Sequence, residues 1–96
     1  MNTNAFTPQE RFLMIQALNH RVITNYGEKL LFEKKRTFNK YVKPVNSALQ
    51  KLTKENQKLV KYERSILSGC INTMENQVSD DEWKILLDCR KRLLNN

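Results

Sequence analysis

Ninety-six residues carry 17 Lys/Arg against 10 Asp/Glu, for a net charge of +7, with 40% hydrophobic and 28% charged side chains. A chain of this length supports one modest core; it is too apolar to stay disordered, and two Gly and two Pro are too few turn residues for a β-rich domain. No run approaches the roughly 18–20 apolar residues of a membrane span, and the opening MNTNAFTPQE has neither the basic nor the apolar region of a secretory signal, so a cytoplasmic protein is expected.

Thr7-Pro8-Gln9-Glu10 opens the first helix. Thr serves as N-cap, Pro takes the first helical position, and Glu can close a capping box. The pattern that follows predicts a helix over 8–25, with Phe12, Ile15, Leu18 and Val22 on its apolar face. Asn25-Tyr26-Gly27 supplies the stop, Gly27 being suited to the left-handed position after a helix end.

A second helix is expected over 28–42, up to Pro44. Proline lacks an amide donor and clashes with the preceding turn, at about 3 kcal/mol in a helix interior, and it disfavours helical geometry at Lys43. The helix therefore either kinks here and continues, or meets a nearly coaxial successor at Lys43. The third segment, 45–77, contains no strong breaker except Ser68-Gly69.

Leu31, Phe38, Val45, Leu52, Leu59 and Ile66 recur at intervals of seven through both segments. Such a repeat marks a helix packed lengthwise on another helix. Glu55 and Asn56 fall in the middle of this seam and predict one partly wet layer, which suits a hairpin or bundle better than a long zipper. Unbroken, residues 45–77 would reach about 50 Å, against roughly 30 Å for a compact domain of this size. The helix must bend at Gly69 or project from the body. Val78-Ser79-Asp80-Asp81-Glu82-Trp83 then repeats the capping-box chemistry, adds a Val78–Trp83 staple, and starts a last helix over 80–94. The acids Asp80, Asp81 and Glu82 answer the dipole of its first turn.

The expected fold is a single all-α domain: short N- and C-terminal helices flanking a long kinked or broken central helix, in a hairpin or bundle. Terminal helices of about fifteen residues cannot cover so long a rod. Self-association is expected, most simply as a two-fold dimer, through Leu31, Phe38, Val45, Leu52, Leu59 and Ile66.

Charge is unevenly placed. Residues 29–64 hold eleven Lys/Arg and three Glu, whereas the remainder holds six basic and seven acidic residues. A localised positive field points to an anionic partner. Lys51, Lys54, Lys58 and Lys61, spaced by three, four and three, would line about 15 Å of one helical face, and Lys34, Lys35, Arg36, Lys40 and Lys43 form a second cluster. Phe32, Phe38, Tyr41 and Tyr62 lie in the same zone, where exposed rings can stack on bases; Phe38 also belongs to the seam. The competing structural explanation is a solvated face that keeps an oligomer soluble.

The inventory for catalysis is thin. His20 is the single histidine, Cys70 and Cys89 are the two cysteines, and none sits at a metal-ligand spacing. Neither a carboxylate pair nor a phosphate-binding glycine loop stands out. No enzyme, cofactor or metal is expected, and the cysteines read as small buried apolar residues of a reducing compartment.

Two binding functions remain. One is a non-enzymatic nucleic-acid-binding protein; four lysine–phosphate contacts would give a salt slope near −3.6 on duplex DNA. The other is a regulator of the phage or mobile-element type, an inhibitor or adaptor that lays an apolar helix stripe on a host protein or nucleic-acid-handling enzyme, its lysines steering the encounter. Eleven Lys and eleven Asn hint at an AT-rich genome of that kind. A third reading is a basic pocket between protomers for a small anion such as a nucleotide.

Overall fold

The computed structural model describes residues 1–21 and 43–95. Within them lie a 3-10 turn, Thr3–Ala5, and four α-helices: α1 (Pro8–Arg21), α2 (Lys43–Leu52), α3 (Lys61–Asn72) and α4 (Asp80–Leu94). The fold among the described residues is all-α, with one isolated antiparallel bridge, Asn2 to Lys58. None of the described helices is long and apolar enough to cross a membrane.

The helix starts follow their cap chemistry. Glu10 N–H donates to Thr7 Oγ1 (3.2 Å) while Thr7 N–H donates to Glu10 Oε1 (2.8 Å). Ser79 and Glu82 make the same reciprocal pair at 3.2 Å each, and Val78 and Trp83 pack against the core beside it. Pro44 stands in the first turn of α2, where the amide it lacks would have no partner within the helix.

α3 is the central element and packs on α1, α2 and α4. Its Leu67, Cys70 and Ile71 meet Leu13, Met14, Ala17 and Leu18 of α1, Val45, Ala48 and Leu52 of α2, and Leu86, Cys89 and Leu93 of α4 in one buried cluster. The expected apolar face of α1 is rotated. Leu13, Met14, Ala17 and Leu18 point inward and Ile15 is half-buried, whereas Phe12 is 57% exposed. Spacings of four put Leu13 with Ala17 and Met14 with Leu18 on the inward side, and Phe12 falls on the opposite side. Val22 lies outside the described residues, as do the Asn25–Gly27 stop and the helix expected over 28–42.

The main departure concerns the segment 45–77. It is not one helix bent at Gly69: α2 ends at Leu52, an irregular stretch runs from Thr53 to Val60, and α3 passes through Gly69 without interruption. Asn56 adopts a left-handed backbone, φ 60°, which Asn tolerates better than most residues. A helix cannot continue through that conformation. The supposed wet layer at Glu55 and Asn56 is the break itself. Gly69, inside α3, gives up about 1 kcal/mol relative to alanine.

Because the chain folds back there, residues 45–77 form no 50 Å rod, and the longest dimension of the described residues is 36 Å. Val45, Leu52 and Leu59 are each 1% exposed and sit in the core of the single chain. Within the chain itself these three are therefore covered, and the seam at Val45, Leu52 and Leu59 is not an open apolar edge. Ile66 is half-buried against the same core, and Leu31 and Phe38 lie outside the described residues.

What holds the Thr53–Val60 loop is the N-terminal strand of chain before α1. Thr3 N–H donates to Gln57 O and Leu59 N–H to Met1 O, both at 2.8 Å. Asn56 N–H donates to Asn4 Oδ1 (2.8 Å), and Asn2 Nδ2 donates to Asn56 Oδ1 (3.0 Å). The Thr3 hydroxyl, fully buried, donates to Lys54 O (3.1 Å) and accepts from Gln57 N–H (3.0 Å). A Thr3→Val substitution keeps the shape and strands both groups of the loop. It should lower stability by about 1–3 kcal/mol, read as a reduced urea midpoint at unchanged slope.

Candidate nucleic-acid interface

The lysines expected on one helical face are distributed over three kinds of structure. Lys51 is in the last turn of α2, Lys54 and Lys58 belong to the loop, and Lys61 is the first residue of α3. No shared helical stripe forms, because the helix that would carry it stops at Leu52. Lys34, Lys35, Arg36 and Lys40 lie outside the described residues, as do Phe32 and Tyr41, while Lys43 is exposed at the start of α2.

Lys51 has a structural task. Its Nζ donates to Glu63 Oε1 at 2.8 Å, with the lysine side chain 28% and the glutamate 4% exposed. Ser47 Oγ donates to Glu63 Oε2 (2.9 Å), and Val60 N–H donates to Glu63 Oε1 (2.9 Å). That last bond is half of a capping box at the start of α3; Val60 has no side-chain acceptor to supply the other half. Burial alone would raise the Glu63 carboxyl, but these donors together hold it below the ordinary value of 4.5. One carboxylate thus ties α2, the loop end and α3 together.

Lys54, Lys58 and Lys61 are exposed and make no ion pair among the described residues. Glu55, the one acid within the loop, is 79% exposed and lies 3.8 Å from the mostly buried Arg11; with the carboxylate in water and at that separation the pair contributes little. Beside the loop, Ser47, Gln50, Lys51, Lys54 and Gln57 line a shallow cleft of about 190 Å³. Ser47 and Lys51 are already bonded to Glu63 there, so the donors the lining presents to an anion are the Lys54 ammonium and the Gln50 and Gln57 amides. On the far side of α3, Lys61, Arg64, Ser65, Leu93 and Leu94 line a smaller one of about 100 Å³.

Arg92 ties α4 to the N-terminal segment and the start of α1. It bonds Glu10 Oε2, donates to Ala5 O (2.7 Å), pairs with Asp88 (3.0 Å) and stacks on the buried Phe6 ring at 4.7 Å. Burial raises the Glu10 carboxyl, while the Thr7 amide and Arg92 hold it below its ordinary value overall. Arg92 is therefore a tether and not part of the basic surface.

The two thiols are core groups. Burial pushes Cys70 up to about 11, with Arg21 opposing, and pushes Cys89 up to about 12, helped by the nearby Glu10 charge. Neither is a thiolate nucleophile at neutral pH. Among the described residues no group of three His, Cys, Asp or Glu could hold a metal ion, and His20 is half-buried in the last turn of α1.

Comparison with protein-family models, with curated proteins and with solved structures gives no match.

Both depressed carboxylates link stability to pH. Their contribution is complete above the unfolded value near 4.5 and is lost as pH falls through the lower folded values. Glu63→Gln should cost about 1–3 kcal/mol at neutral pH and flatten the acid limb of stability between about pH 5 and 3. Urea midpoints measured across that range would check both.

Proposed function

We propose that this chain is a non-enzymatic nucleic-acid-binding protein that holds phosphates along the Thr53–Val60 loop and the start of α3. Lys54, Lys58 and Lys61 supply the charge. The observation that carries this reading is the exposed, unpaired Lys54 at the edge of a shallow cleft together with two further exposed lysines within seven residues of it. The loop is fixed by the N-terminal chain, so the three ammonium groups are displayed from an ordered backbone. Lys51 is committed to Glu63 and leaves three phosphate contacts in place of four.

A second reading rests on the apolar side chains near the same edge. Val60 is 45%, Tyr62 54% and Leu94 62% exposed, and Lys61 and Arg64 stand among them. Such a surface also suits an acidic protein partner, with charge guiding the encounter and the apolar groups holding it. This is the inhibitor or adaptor reading, placed on a mixed edge and not on the heptad seam.

Three contacts predict a salt slope of about −2.7 on duplex and −2.1 on single strands. The triple variant Lys54→Glu/Lys58→Glu/Lys61→Glu should lose binding while keeping its helical spectrum, since all three side chains are exposed. Unchanged affinity in that variant would overturn the proposal. Recovery of the tagged protein with and without nuclease separates the two readings: nucleic acid that dissociates at moderate salt supports the first, and a stoichiometric acidic protein that survives nuclease supports the second.

A further inference from the structure

The backbone of the lysine loop has few partners of its own. The Thr53 and Lys54 amides reach back to Leu49 O and Lys51 O of α2, and the Gln57 side chain donates to Glu55 O at 3.2 Å. From Asn56 to Leu59 the backbone is held by the N-terminal segment instead. The amides of Asn56, Gln57 and Leu59 donate to Asn4 Oδ1, Thr3 Oγ1 and Met1 O, while the carbonyls of Lys54 and Gln57 accept from the Thr3 hydroxyl and amide. Thr3 therefore grips Lys54 itself and the residue next to Lys58. The segment is fixed at its other end as well: Arg92 of α4 donates to Ala5 O (2.7 Å), Arg11 of α1 donates to Phe6 O (3.0 Å), and Phe6 is buried.

We propose that residues 1–6 are a strap that sets the affinity of the loop for a polyanion, with Thr3 as its positioning residue. This rests on the phosphate-binding reading of Lys54, Lys58 and Lys61. Thr3 touches no phosphate; its effect passes through the loop backbone. With its hydroxyl in place, Lys54 and Lys58 project from a turn that is already ordered, and binding has less conformational freedom left to remove. Without it, ordering falls on the binding step, at about tenfold in affinity for each residue fixed anew. Burial singles out Thr3 for this role. It is 0% exposed, whereas Asn4 is exposed, so the hydroxyl bonds are the ones sheltered from competing water. The coupling is reciprocal: a polyanion that prefers the ordered loop also holds the strap down. The chain thus has a control point outside its charged surface, and lifting residues 1–6 lowers affinity with every lysine unchanged.

The test measures affinity for oligo(dT) and for a short DNA duplex, using whichever the unmodified protein binds, at a temperature where the variants keep their helical spectrum. Thr3→Val should weaken binding about tenfold, whereas Thr3→Ser, which keeps the hydroxyl, should bind as the unmodified protein does. Asn4→Ala removes one exposed acceptor and should weaken binding about threefold. Ile71→Val, a core change in the last turn of α3 that also lowers stability, should leave affinity unchanged. Hydrogen exchange supplies a second readout: the Asn56 and Leu59 amides should exchange faster in Thr3→Val than in Ile71→Val, and slow again when the polyanion is added. Equal affinity of Thr3→Val and the unmodified protein would overturn the strap and leave the lysine reading intact. An equal loss in Ile71→Val would do the same, because it would trace the effect to overall stability. Should Thr3→Val fail to fold, Asn4→Ala decides, and unchanged affinity there overturns the strap. Failure of the unmodified protein to bind either nucleic acid would overturn both readings.

Discussion

The pairing of residues 1–4 with residues 54–59 is the constraint on which the rest of this structure depends. A loop between two packed helices exposes backbone groups that either find partners or remain solvated, and an unmet buried group costs about 1–3 kcal/mol. Here the partners come from the far end of the sequence. Thr3 is completely buried and serves as both donor and acceptor to the loop backbone, while Asn2 and Asn4 bracket Asn56. The consequence is directional. With the loop held, Leu59 is placed in the core, α3 starts where Glu63 can reach Val60 and Lys51, and Lys54 and Lys58 stand on the outside of an ordered turn.

Charge in this molecule divides by burial into two uses. Lys51 and Arg92 are cations matched to carboxylates that are mostly shielded from water, Glu63 and Glu10. Removing one partner of such a pair is destabilising mainly because the other is then left uncompensated. The exposed lysines of the loop and α3 carry no such obligation. Their mutual repulsion is modest at physiological salt, and the field they generate extends outward. A net charge of +7 is thus a poor measure of the surface that could meet a polyanion; the division between tethers and displayed charges is the better one.

How much of this was readable from the residues follows from the range of each signal. Capping boxes at Thr7–Glu10 and Ser79–Glu82 are local, depending on side chains three apart, and α4 starts where that chemistry places it. The all-helical class follows from equally local patterns. The seam failed because a spacing of seven between Leu52 and Leu59 is produced by a folded-back loop as readily as by two helical turns. The contrary signal was present: Thr53 to Lys58 are six consecutive polar residues, a run that a helix buried against α1 and α3 would not carry on its inner face. The N-terminal pairing had no sequence signal at all, since nothing in Met1–Asn4 specifies a partner more than fifty residues away.

Gly69 illustrates the same limit from the opposite side. In the sequence it looks like a bend, because glycine beside serine in a helical pattern usually marks weakness. In the structure the helix continues through it from Lys61 to Asn72: packing of α3 against α1, α2 and α4 carries the helix across a residue of weak intrinsic propensity.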